Sequence, residues 1–82
     1  MIRVLITDDH EMIRNGLSSL LRGETSILVV DMARNGKEAL DICGTRQIDV
    51  VLMDIMMPEM NGVDATRAIR EKHPDIKVLA VT

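Results

Sequence analysis

Phenylalanine, tyrosine and tryptophan are all missing from this 82-residue chain. Any core must therefore be aliphatic, drawn from Leu, Ile and Val and from seven Met, whose flexible side chains fill irregular gaps. Cysteine is nearly missing too. Cys43 stands alone and forms no internal disulfide, which fits a reducing cytoplasm, and it reads as a small buried hydrophobe on a helix. No apolar stretch approaches the ~18 residues of a membrane span, and Met1 opens no charged-then-apolar leader, so the chain is expected to be neither secreted nor membrane-spanning. Basic runs are absent as well: ten Lys and Arg lie scattered under a net charge of −3, which argues against a nucleic-acid surface on this segment. Repeats, low-complexity tracts and interdomain linkers are lacking. The length allows one domain, 1–82.

What is present alternates. Ile2-Arg3-Val4-Leu5-Ile6-Thr7 reads as a strand, followed by Asp8 and Asp9. Met12, Ile13, Gly16, Leu17, Leu20 and Leu21 recur at helical spacing, with Gly23 as a stop. A second strand runs from Ile27 to about Ala33. Asn35 can cap the next helix, with Glu38 in capping-box position and Gly44 at the end. Ile48 to Met53 forms a third strand ending at Asp54. A Met-rich loop from Ile55 to Asn61 leads to a helix capped by Asn61 and stopped before Pro74. Ile76 to Val81 is the fourth strand, and Thr82 follows. The order β-α-β-α-β-α-β predicts right-handed crossovers and an α/β fold: a doubly wound parallel sheet in a three-layer α/β/α arrangement. The continuous apolar runs at 27–30 and 50–53 predict strands buried on both sides.

In open α/β sheets, ligands bind beyond the carboxyl ends of the strands where strand order reverses. Asp8 and Asp9 lie just past the first strand and Asp54 closes the third. If those strands are neighbours, three carboxylates converge, and such crowding resists ionisation. A hard divalent cation relieves it; Mg²⁺ takes one or two carboxylates and keeps several waters. A carboxylate beside Mg²⁺ is a competent nucleophile toward phosphorus, giving an aspartyl phosphate. The Thr82 hydroxyl, at the end of the neighbouring strand, can reach the same group. Each residue also has a plainer reading: Asp8 or Asp9 as a helix cap, Asp54 opening a turn, Thr82 as an ordinary strand residue, His10 as a solvent-facing helix start. Met53, Met56, Met57 and Met60 read as packing rather than soft-metal ligands.

Val4-Leu5-Ile6-Thr7-Asp8-Asp9-His10, the stretch Asp54-Ile55-Met56-Met57-Pro58-Glu59-Met60-Asn61-Gly62 and Val78-Leu79-Ala80-Val81-Thr82 together resemble the receiver domain of two-component response regulators. The resemblance covers the chain in order, and Asp8-Asp9-His10 with Arg14 and Gly16-Leu17 resembles the NarL/FixJ-type subgroup. It implies a flavodoxin-like sheet and a phosphoacceptor, not an enzyme. It makes Asp54 the phosphoacceptor and Thr82 the switch hydroxyl. Asp9, Asp54 and the backbone carbonyl of Met56 would bind Mg²⁺ directly, with Asp8 acting through water. Pro58 and Gly62 would shape the loop, one fixing a φ and the other relaxing one. The partner would be a sensor histidine kinase. DNA would be read only by a C-terminal helix-turn-helix domain beyond this segment.

The family pattern continues through a further helix, a fifth strand opening with a lysine, and a final helix. The present 82 residues correspond to its N-terminal two-thirds. The fourth strand is thereby expected to form an open apolar edge, and the chain to self-associate. Two other readings compete. A haloacid-dehalogenase-type phosphatase needs a second Asp two residues after its nucleophile, where this chain has His10. A protein–protein dimerisation module without productive phosphotransfer is the remaining alternative.

Overall fold

The computed structural model describes residues 1–57 and 62–81. Strands β1 (Ile2–Thr7), β2 (Ile27–Ala33), β3 (Val50–Asp54) and β4 (Lys77–Val81) alternate with helices α1 (Glu11–Arg22), α2 (Gly36–Thr45) and α3 (Gly62–Lys72). All three strand pairings are parallel, and the sheet order is β2-β1-β3-β4. This is the doubly wound, flavodoxin-like order, with the reversal between β1 and β3. Helix α1 packs on β1 and β2, while α2 and α3 pack on each other and on the opposite face.

Most of the core lies between the sheet and α2/α3. Leu5, Val51, Met53, Ala65 and Ile69 are fully buried there, joined by Ala33, Ala39 and Cys43. Burial pushes the Cys43 thiol up to about 11, because the thiolate would lose its hydration. The other face is thinner. No residue of α1 is fully buried; Arg14, Leu17, Ser18 and Leu21, spaced by three and four, form its inner stripe.

Strand order explains where the expected two-sided burial fails. The central strand β1 is enclosed on both faces from Val4 to Thr7. In β3 only Val51 and Met53 are buried, and Val50 and Leu52 are half-covered. Strand β2 is an outer strand, so Leu28 is exposed in spite of its apolar run; β4 is the other outer strand, and Leu79 is exposed as expected of an open edge.

Local signals worked unevenly. Asn35 caps α2, its side chain accepting from the Glu38 N–H at 2.8 Å. Glu38 returns not to Asn35 but to Arg34, accepting from its N–H at 3.1 Å and its guanidinium at 3.0 Å, which holds the Glu38 carboxyl below the usual range. Gly44 does not end α2. The helix continues to Thr45, whose hydroxyl donates to the Asp41 and Ile42 carbonyls, and it stops at extended Arg46. The predicted cap Asn61 and the loop residues Pro58 to Met60 lie outside the described residues.

Candidate functional site at the carboxyl edge of β1 and β3

The β1–β3 register pairs Thr7 with Met53, so the next residues along, Asp8 and Asp54, emerge side by side. Asp9 follows at once. One carboxylate oxygen from each of Asp8, Asp9 and Asp54, together with a ring nitrogen of His10, all lie within 4.8 Å of one another. Asp8, His10 and Asp54 also line a cleft of about 410 Å³ with Ile13, Leu17, Met56 and Val81. The sequence-predicted carboxylates are thus brought together, and Met56 borders the same cleft. Thr82 lies outside the described residues.

Asp8 and Asp54 are held alike. Each accepts, through Oδ1, the backbone N–H two residues on: His10 at 2.8 Å and Met56 at 3.0 Å. These are Asx-type turns, in which a short acidic side chain folds back on its own backbone. Neither Asp8 nor Asp9 caps α1; the N-cap residue is His10. Asp8 is the buried member, 6% exposed, anchored by its N–H to the Ala33 carbonyl and by Arg14 Nη1 donating to its own carbonyl at 2.7 Å.

Gly62 is required by space. A Cβ there would fall 2.3 Å from Ile55 Cα and 2.4 Å from the Asp54 carbonyl oxygen. Its N–H donates to the Ile55 carbonyl at 3.2 Å. The first turn of α3 therefore rests on the backbone that carries Asp54. The relaxed φ expected at Gly62 is not its reason for being glycine.

Sequence reasoning underrated His10. Its side chain is 66% exposed, yet Nδ1 lies 3.0 Å from Oδ1 of both Asp8 and Asp9. The hydrogen bond to Asp8, and then the charge of Asp9, raise its pKa above the ordinary imidazole value. The available signal was the spacing: an Asp two residues before a helix N-cap turns its carboxylate toward that residue.

The site is thus a sheet-edge cluster of carboxylates at the strand-order reversal of a small doubly wound domain. Residues 4–82 match the family described as response regulator receiver domain, and the chain belongs to it. It is 46% identical over 82 residues to the response regulator GacA of Pseudomonas viridiflava, covering 100% of this chain and 38% of that protein. It is 45% identical to the transcriptional regulatory protein LnrK of Bacillus subtilis, covering 100% of this chain and 37% of that protein. Among solved structures, the response regulator domain of Thermotoga maritima CheB superposes with a TM-score of 0.92 at 34% identity, over 98% of this chain and 59% of that one. A LuxR-family two-component response regulator from Aurantimonas gives 0.89 at 31% identity, over 95% and 56%. The chain thus spans well under half the length of these curated relatives. No helix among the described residues is long and apolar enough to cross a membrane.

Proposed function

We propose that this chain is the phosphoacceptor module of a cytoplasmic transcriptional response regulator, loaded on Asp54 by a sensor histidine kinase. The observation that carries the reading is the convergence of Asp54 with Asp8 and Asp9 at one sheet edge. A carboxylate oxygen of Asp54 attacks phosphorus. The P–N bond of the kinase phosphohistidine breaks, its electron pair returns to the imidazole with a proton, and an aspartyl phosphate forms.

The donor set fits Mg²⁺: the three carboxylates are hard oxygen ligands, and Arg14 donates to a backbone carbonyl rather than neutralising one of them. Asp9, Asp54 and the Met56 carbonyl would hold the ion, with Asp8 acting through water and Thr82 as the switch hydroxyl. When bound, the metal offsets the crowded charge and the charge growing on the transferring phosphoryl oxygens. The Met56 N–H orients the Asp54 carboxylate by donating to its Oδ1. Arg14 and the Ala33 carbonyl keep the Asp8–Asp9 turn in place. Residues 1–82 act as one receiver unit, and DNA reading belongs to a separate helix-turn-helix domain.

Incubation with Mg²⁺ and acetyl phosphate tests this. A single added phosphoryl group should map to Asp54 and vanish in Asp54→Ala or with a chelator. Undiminished labelling of Asp54→Ala would overturn the assignment.

A second reading has its own observation. The outer strand β4 leaves Leu79 55% exposed, with Ala80 exposed beside it. Such an edge templates pairing with a second copy of this chain, which supports self-association as a dimerisation module. Sedimentation at micromolar concentration decides it: a monodisperse monomer removes this reading.

A further inference from the structure

The outer side of β4 carries a fixed pattern of backbone groups. Lys77 donates its N–H to the Asp49 carbonyl at 3.0 Å, so its backbone is turned toward β3. Successive residues of a strand turn opposite ways, so Leu79 and Val81 bond toward β3 as well. Val78 and Ala80 then direct their N–H and carbonyl groups away from the sheet. Side chains alternate too. Val78 packs against the core on the α2/α3 side, which puts Lys77, Leu79 and Val81 on the opposite face. That face carries the acidic cleft, which Val81 lines with Asp8 and Asp54.

A two-fold axis between two copies of this edge makes the two strands antiparallel. Residues directly opposite each other share a face, and one register pairs all five residues of β4: Leu79 with its counterpart, Val78 with Ala80, and Lys77 with Val81. In that register Val78 and Ala80 exchange their free N–H and carbonyl groups across the junction. Leu79, 55% exposed in the single chain, meets its counterpart at a non-hydrogen-bonded position, where side chains stand closest.

The same register carries a charge across. Within one chain Lys77 pairs with Val50, four residues before Asp54 and roughly 13 Å short of the cleft. Its side chain is exposed and, among the described residues, forms no ion pair. The partner's Lys77 lies opposite Val81, and Val81 is the register partner of Asp54. Asp54, Val81 and the partner's Lys77 thus form one row across the sheet, about 10 Å from end to end at strand spacing. A flexible lysine stem and an aspartate side chain together close that distance. Asp8, Asp9 and Asp54 supply the negative charge that this ammonium lacks in its own chain.

We propose that two copies pair antiparallel through β4 and that each inserts its Lys77 into the other's carboxylate cleft, where the ammonium offsets charge on the transferring phosphoryl oxygens. The inference rests on the phosphoacceptor and self-association readings and joins them: the cleft is complete only in the pair.

Mixed variants of the 82-residue chain test it. Lys77→Ala should label with acetyl phosphate and Mg²⁺ at least ~10-fold more slowly than wild type, and Asp54→Ala should not label. Mixing the two should restore labelling of the Lys77→Ala chain toward the wild-type rate, because the Asp54→Ala chain supplies the lysine. A slow Lys77→Ala chain that the mixture fails to rescue overturns the inference. So does a Lys77→Ala chain that labels at the wild-type rate. Carbodiimide coupling in a mixture of isotope-labelled and unlabelled chains needs no phosphorylation. Mass spectrometry should find Lys77 of one chain joined to Asp8, Asp9 or Asp54 of the other; a dimer without that link overturns the inference and leaves self-association intact. A monomer at micromolar concentration whose Leu79→Cys variant forms no disulfide-linked dimer defeats the self-association reading and the inference with it. A coupled dimer that takes up no phosphoryl group keeps the paired cleft and defeats only the phosphoacceptor reading.

Discussion

The two ends of this sheet treat aspartate in opposite ways. At the amino end, Asp49 is surrounded by donors. It accepts from the Arg3 N–H at 2.8 Å and from Arg3 Nε at 3.1 Å and Nη2 at 3.3 Å, while Arg3 Nη1 reaches Gln47. Its own N–H and carbonyl join β1 and β4, through the Arg3 carbonyl and the Lys77 N–H. At the carboxyl end, Asp8, Asp9 and Asp54 face each other with one exposed imidazole among them. A carboxylate matched donor for donor is a structural clasp. Three that crowd together await a positive partner. The residue type is the same; the surroundings set its use.

The sharpest way to break that contrast is to neutralise one aspartate at each end. Asp54→Asn should reduce phosphoryl incorporation to background while leaving thermal stability unchanged or improved, since it removes like-charge crowding. Asp49→Asn should do the reverse, retaining incorporation and lowering the melting temperature. Mass spectrometry and thermal denaturation read both variants; equal phosphoryl uptake by the two would erase the distinction.

Gly62→Ala tests whether the carboxyl end is sterically tuned as well as charged. The added carbon meets the backbone of Ile55 and Asp54, which cannot rotate away as a side chain would. A cost of roughly 1–3 kcal/mol, or more, is expected in denaturant unfolding, together with slower labelling of Asp54. A wild-type midpoint would place α3 farther from that backbone.

Smaller effects appear as pH dependence, and the two ends have opposite signs. The Arg3 N–H, then the Arg3 guanidinium, hold the Asp49 carboxyl below its ordinary value. Its contribution is present above the unfolded value of about 3.9 and is lost as pH falls through the lower folded one. His10 is raised, chiefly by its hydrogen bond to Asp8. Its contribution is present below the unfolded value of about 6.5 and is lost as pH rises through the higher folded one. Both groups are exposed, so salt should shrink both effects. Side-chain NMR titration measures the shifts directly, and an ordinary His10 value in metal-free buffer contradicts the contact with Asp8.

The smallest effect concerns the buried thiol of α2. Cys43, pushed up to about 11 by burial, should resist alkylation at neutral pH in the folded protein and react readily once it unfolds. Rapid labelling of the native chain would mean that α2 opens on its own.

How much was legible depends on how local each cause is. Helix and strand periodicity are repeated along the chain, so all of the described elements were readable, including the full span of β2. The Asn35 cap was readable because its partner is three residues away. Gly44 misled because glycine permits a helix stop without enforcing one; α2 ends only at Arg46. Burial in β2 misled because an apolar run does not say whether its strand is central or outer, whereas β4 was expected as an open edge and lies at one.

By itself the sequence determined the alternating β-α order, the aliphatic core, the acidic pair after β1 and the aspartate ending β3. These follow from residue type and short-range spacing. Tertiary structure alone decided that β1 and β3 are neighbours, which brings Asp8 beside Asp54 across 46 positions of chain. It also turned His10 into the pocket, sent Arg14 back to the Asp8 carbonyl and pressed Gly62 against the Asp54 backbone. Those outcomes depend on which surfaces meet when helices pack on the two faces of a twisted sheet, and no local pattern encodes that meeting.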